Sequence, residues 1–154
     1  MRKFIHNKLK DQKGLTLIEL LAVIVILAII AAIAIPAIAG VIDNSRVGAM
    51  KSDNLNAIAA AELYVLDNAA PTNNEITLAM LDGTSGEKYL TDKGSLTEFT
   101  YNVSTKIVKT SAANVGTNMF MKVAGATKAE ISGTPNSTRD VLAAKVKVSK
   151  TAIN

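Results

Sequence analysis

Residues 13–42 read KGLTLIELLAVIVILAIIAAIAIPAIAGVI. After Lys13 the stretch carries one charge, Glu19, and the 23 residues from 20 to 42 carry none. As a helix those 23 residues extend about 35 Å at about 1.5 Å per residue. A hydrocarbon core is about 30 Å thick. A core helix of a soluble domain does not keep every face apolar for so long, so the segment is expected to cross a membrane. Charge gives its direction. Residues 1–14 hold Arg2, Lys3, Lys8, Lys10 and Lys13 against Asp11, and Asp43 follows the span. The positive-inside rule keeps residues 1–14 in the cytoplasm and places residues 43–154 outside.

The basic leader accounts for the charge of the whole chain. Its 154 residues hold 17 Lys+Arg against 13 Asp+Glu, a net +4. Residues 15–154 hold 12 of each sign. The length fits one ordinary domain, and 49% hydrophobic residues exclude a disordered chain. There is no cysteine, which excludes a disulfide framework, a thiolate zinc site and a thiol nucleophile. The one histidine, His6, lies in the leader. Beyond it the chain lacks the usual general base and the commonest metal ligand. Asp82-Gly83 and Asp92–Gly94 are turn chemistry, because the alternating acidic ligands of a calcium loop are missing. No phosphate loop is present. No catalytic residue, metal site or cofactor is expected.

A secretory signal peptide competes for the same segment, with Ala37-Ile38-Ala39 before Gly40 as a small-residue cleavage site. The apolar run exceeds the ~7–15 residues of a signal core, and it contains Glu19. A carboxylate in a span costs about 2.5–3.5 kcal/mol at mid-bilayer and less near the interface, so it calls for a partner. The residues just before it are Lys13-Gly14, then Leu15-Thr16-Leu17-Ile18-Glu19. This pattern resembles the processing site of type IV prepilins: a basic leader ending in glycine, an apolar residue, then T-L-I-E opening a hydrophobic helix. The family more often has Phe where this chain has Leu15. The resemblance covers residues 1 to about 65.

The resemblance implies cleavage between Gly14 and Leu15 by a membrane-embedded prepilin peptidase, followed by N-methylation of Leu15. Gly14, without a side chain, lets an extended substrate enter a tight cleft. In the assembled filament, Glu19 of one subunit would meet the α-ammonium of Leu15 on a neighbour. Two charges that are each costly in an apolar bundle then form one pair, which sets register. Pro36 removes one helical donor and, by resemblance, marks a weak point where the helix loosens on assembly. Ala28, Ala31, Ala32, Ala34, Ala37 and Ala39 permit close helix packing. The implied function is structural. A type IV pilus subunit polymerises with copies of itself, and adhesion, motility or DNA uptake belongs to the polymer. The implied partners are the peptidase, the assembly machinery of the cytoplasmic membrane, that membrane before assembly, and other subunits. A pseudopilin of a type II secretion or competence system shares these features. From another class, an uncut chain would be a monomeric membrane-anchored binding domain, and cleavage after Ala39 would release a secreted protein. The expected location is the cytoplasmic membrane, then a cell-surface filament. The lack of cysteine, with Leu15, tilts the source towards a Gram-positive bacterium.

Residues 43–154 form the exported domain. Residues 43–70 continue the helix, with Val47, Met50, Leu55, Ile58, Leu63 and Leu66 at helical spacing and Pro71 beyond them. Residues 71–98 read as a loop with a short helix near Glu75–Leu81. From Phe99 the period changes to two. Phe99–Val103, Ile107-Val108 after a Ser104-Thr105 turn, Asn118–Val123, Ala129–Ser132 and Leu142–Ser149 are strand candidates, and Asn136–Arg139 a helical turn. Asn102-Val103-Ser104 and Asn136-Ser137-Thr138 match a glycosylation sequon, read here as turns. The expected fold is α+β: a long helix on an antiparallel sheet of about four strands in residues 99–154, the type IV pilin fold. Residues 43–100 carry 4 basic and 9 acidic side chains, and residues 101–154 carry 8 and 2. The halves can neutralise each other within one subunit or attract between stacked subunits. Nucleic acid on the basic half is the third use, but only Tyr101 and Phe120 offer stacking surfaces there.

Overall fold

The computed structural model describes residues 16–114, 119–136 and 146–149. The chain forms two compact units that divide between Ala39 and Gly40. The first helix, α1, runs Leu17–Asp67, 51 residues with Pro36 inside it. In the first unit its side chains are exposed, apart from half-buried Ala34.

In the second unit α1 buries Val47, Met50, Asn54, Ala57, Ile58 and Ala61, the i, i+3, i+4, i+7 pattern of a helix laid on a core. Two residues expected in that series point elsewhere: Leu63 is 48% and Leu66 81% exposed. The buried face carries Ala57 and Ala61 instead. α1 stops at Asp67 rather than residue 70. The Asn68 side chain donates to the Tyr64 carbonyl at 3.3 Å, alongside its own backbone bond at 2.8 Å. Pro71 then cannot continue a helix.

Among the described residues the sheet has five strands, one more than expected: β1 (Glu75–Thr77), β2 (Leu96–Asn102), β3 (Ile107–Asn114), β4 (Met119–Ala126) and β5 (Val146–Ser149). Their order is β1-β2-β3-β4-β5, and every neighbouring pair is antiparallel. Alternation sends Phe99, Tyr101, Val108, Thr110, Ala112, Met121, Val123, Val146 and Val148 into the core. Glu98, Lys109 and Lys147 lie on the exposed positions between them.

The extra strand comes from the segment read as a short helix near Glu75–Leu81. A Pro71–Asn74 turn (2.8 Å), with Asn74 at φ 56°, aims the chain into β1, where Ile76 pairs with Tyr101. Only Leu78–Leu81 is helical, as α2. The strand candidate Ala129–Ser132 is also helical: α3 runs Lys128–Gly133. Thr127 caps it, since the Glu130 amide donates to the Thr127 hydroxyl (3.4 Å) and the Thr127 amide to the Glu130 carboxylate (2.8 Å). This reciprocal box satisfies donors that a helix start otherwise leaves open. β2 begins three residues before Phe99. β5 is the second half of the Leu142–Ser149 candidate, whose residues 142–145 lie outside the described residues, as do 137–139 of the turn expected after Asn136. The turns at Asp82, Asp92 and Asn102 are present, each with the side-chain oxygen accepting from an amide two residues on, at 2.9, 2.9 and 3.2 Å.

Polar ties hold α1 to its surroundings. Asn54, fully buried, accepts from the Thr110 hydroxyl of β3 at 2.5 Å and donates to the Met50 carbonyl at 2.8 Å. The Asp53 carboxylate accepts from the Ser95 amide (2.8 Å) and hydroxyl (2.6 Å). The Lys51 ammonium donates to the Ser132 and Thr134 carbonyls at 3.0 and 2.6 Å, where the positive charge suits the end of α3.

Candidate functional site

The start of α1 is built by Thr16. Its carbonyl accepts the amide of Leu20 at 3.1 Å, so it sits at the N-cap position. The Glu19 amide donates to the Thr16 hydroxyl at 3.3 Å, and the Thr16 amide donates to Glu19 Oε2 at 2.9 Å. This is a second reciprocal capping box. The carboxylate expected to need a partner therefore finds one in its own chain. Among the described residues Glu19 makes no ion pair. Gly14 and Leu15, the expected processing residues, lie outside the described residues. The structure adds Thr16 to the site. The sequence held a signal for it, the Thr-x-x-Glu spacing before an apolar run.

Beyond Glu19 the helix is long and apolar enough to cross a membrane by length and composition, and no residue of its most apolar 18-residue window is buried. Pro36 lies within it. Having no N–H, it leaves the carbonyl of Ala32 without its helical donor. Recesses of about 560 and 440 Å³ lie in the second unit. The first lies on the sheet between Thr77, Glu98, Thr100, Lys109, Ser111 and Lys122, and the second beside the end of α1.

The family model of the prokaryotic N-terminal methylation motif matches residues 9–35. The chain carries the type IV prepilin signature. The matched stretch contains the Lys13-Gly14-Leu15 junction, the Thr16–Glu19 box and the apolar helix to within one residue of Pro36. It supports a pilin-like or pseudopilin-like substrate of prepilin peptidase with a membrane-anchored precursor. The five-stranded antiparallel sheet with α1 packed on it is the type IV pilin-like α+β arrangement. No curated protein and no solved structure matches the chain. The motif is described for prokaryotes at large, and the Gram-positive assignment draws no support from it.

Proposed function

We propose that the chain is the precursor of a structural subunit of a type IV pilus. The observation that carries this is the methylation motif at residues 9–35, set on a helix that opens with the Thr16–Glu19 box and also packs on an antiparallel sheet. On this reading residues 1–14 are a cytoplasmic leader, residues 15–42 span the membrane and later line the filament core, and residues 43–154 are exported. The peptidase cuts between Gly14 and Leu15 and methylates Leu15. Glu19 then pairs with the Leu15 ammonium of a neighbouring copy, and Pro36 is where the helix loosens during packing. The subunit itself does no chemistry. Adhesion, motility or DNA uptake is the work of the polymer and its motors.

Mass spectrometry of the N-terminus of the native protein, with electron microscopy of the cell surface, tests the proposal. The expected product begins at methylated Leu15 and is found in filaments. A chain starting at Met1 would make it a membrane-anchored monomer, and one starting at Gly40 a secreted protein. Either result refutes the pilus reading.

A further inference from the structure

The face of the sheet turned away from the core carries two cross-strand rows. The first is Thr77, Thr100, Lys109 and Ala124, one residue from each of β1 to β4. The second is Glu98, Ser111, Lys122 and Lys147, one from each of β2 to β5. Along the strands their neighbours Ile76, Phe99, Thr110, Val123 and Val148 are buried, so alternation puts the rows on the outward side. All but Lys147 line the recess of about 560 Å³. The short Thr100, Ser111 and Ala124 leave room that the longer side chains beside them bound. The volume is within the roughly 300–1,000 Å³ of small-molecule sites.

The charges on this face are separated rather than paired. Lys122 and Lys147 are direct cross-strand partners, where like charges destabilise a sheet. Lys109 is diagonal to Lys122, whose own partner on β3 is Ser111. Among the described residues none of the three lysines has a carboxylate within ion-pair distance. Glu98 lies two strands from Lys122, about 10 Å away at about 4.8 Å per strand. Its carboxylate accepts from the Ser111 hydroxyl at 3.2 Å. The β3–β5 side thus holds three ammonium groups. The β1–β2 side holds the Glu98 carboxylate and the Thr77 and Thr100 hydroxyls.

Each side constrains a ligand. Unpaired ammonium groups attract an anion. A carboxylate is acceptor-only, so Glu98 needs a group that donates. A bare polyanion such as a nucleic-acid backbone satisfies the lysines, but it brings no donor to Glu98 and is repelled by it. A sugar that carries a carboxylate satisfies both sides, with its carboxylate accepting from lysine and its hydroxyls donating to Glu98. We infer that the outward face of the sheet binds an acidic saccharide, a uronic-acid unit of a polysaccharide. Its carboxylate sits among Lys109, Lys122 and Lys147, and its hydroxyls meet Glu98, Thr100 and Ser111. The inference goes beyond the proposed function by giving the ligand class that the exported domain holds. One such polar site is weak, and repetition along a polymer multiplies it without any new contact.

The full chain in detergent micelles is titrated with trigalacturonate and followed by amide NMR. Maltotriose serves as the uncharged sugar of equal length, and tricarballylate as a trianion without hydroxyls. Saturable shifts of the Thr100, Lys109, Ser111 and Lys122 amides are expected with trigalacturonate, and none with maltotriose at the same concentration. Lys122→Gln should weaken trigalacturonate about tenfold, the loss of one charged hydrogen bond. Glu98→Ala separates the ligand classes. It weakens trigalacturonate if sugar hydroxyls donate to Glu98, and strengthens it if the face only attracts negative charge. Strengthened binding in Glu98→Ala overturns the inference, as does tricarballylate binding as tightly as trigalacturonate. So does the absence of shifts with trigalacturonate, whether or not a DNA duplex shifts the same amides. Single chains are measured, so a lack of filaments, which refutes the pilus reading, leaves this result untouched.

Discussion

The contact between Asn54 and Thr110 ties α1 to the middle of the sheet, and it can be taken apart one group at a time. Asn54 is 0% and Thr110 4% exposed, so neither reaches water. The Thr110 hydroxyl donates to Asn54 Oδ1 at 2.5 Å, and the Asn54 amide nitrogen donates to the Met50 carbonyl at 2.8 Å. Thr110→Val keeps the shape but leaves Oδ1 without a donor. Asn54→Leu removes the amide and strands the hydroxyl. Each single change leaves a buried polar group unsatisfied, at about 1–3 kcal/mol. Together they remove both groups, and an apolar pair of similar shape is about neutral. The coupling between the two sites, the double loss less both single losses, is then about 2–6 kcal/mol in magnitude. For a unit of this size about 1 kcal/mol shifts Tm by about 4 °C. The single variants should melt roughly 4–12 °C low and the double variant within about 4 °C of the unaltered protein, on the same scale. Circular-dichroism melting of the full chain in detergent micelles measures this. If the double variant loses the sum of the two single losses, the bond does not hold helix to sheet and the reasoning fails.

Other outcomes follow from single features. Gly94 sits at φ +53°, and a Cβ there would meet the Asp53 carboxylate; Gly94→Ala should lose at least about 1 kcal/mol, read as a lower Tm and faster exchange of the Ser95 amide. Pro36→Ala restores the donor missing for Ala32 and removes a helix-interior cost of about 3 kcal/mol. Amide exchange over residues 32–40 should slow, and no change would show that Pro36 is not a weak point. Hydrogen bonds from the Thr84 side chain and amide hold the Asp82 carboxyl below its usual range. Its folded pKa is lowered, so the stabilisation of that turn is present above the unfolded value and is lost as pH falls through the folded one. A carboxyl NMR titration should give a midpoint below 3.8, and Thr84→Ala should raise it.

Reading from sequence succeeded where the signal is local and long. The 23 uncharged residues after Glu19 announce the apolar part of α1 without any tertiary knowledge, and alternation from Phe99 to Val103 announces β2 because the sheet is wet on one side. β1 was not legible: three residues, Glu75–Thr77, form a strand only because β2 is there to pair with them. The two capping boxes are legible in the sequence. Thr127-x-x-Glu130 would have turned a strand candidate into α3, and Thr16-x-x-Glu19 would have named a local partner for the carboxylate. Asn54 could not be read as a core residue, since its partner lies 56 positions away. The same holds for the outward face of α1. Leu63 and Leu66 fit a helical apolar pattern in sequence, and only the burial of Ala57 and Ala61 shows that they face the other way.

The geometry at Glu19 separates two roles that one carboxylate could fill. A carboxylate accepts on two oxygens, and the capping box occupies Oε2. Oε1 is left to accept from a neighbour's Leu15 ammonium, so pairing between subunits need not break the start of α1. The two roles respond differently to substitution. Glu19→Gln keeps an acceptor oxygen for the Thr16 amide and loses the charge. Glu19→Ala loses both, and with them the Glu19 half of the capping box. If the charge is what assembly uses, both variants are cut after Gly14 and both lose filament yield, while helical content near residue 17 falls only in Glu19→Ala. Should Glu19→Gln assemble as the unaltered chain does while Glu19→Ala does not, Glu19 acts by holding the helix start, and the ion pair between copies is wrong.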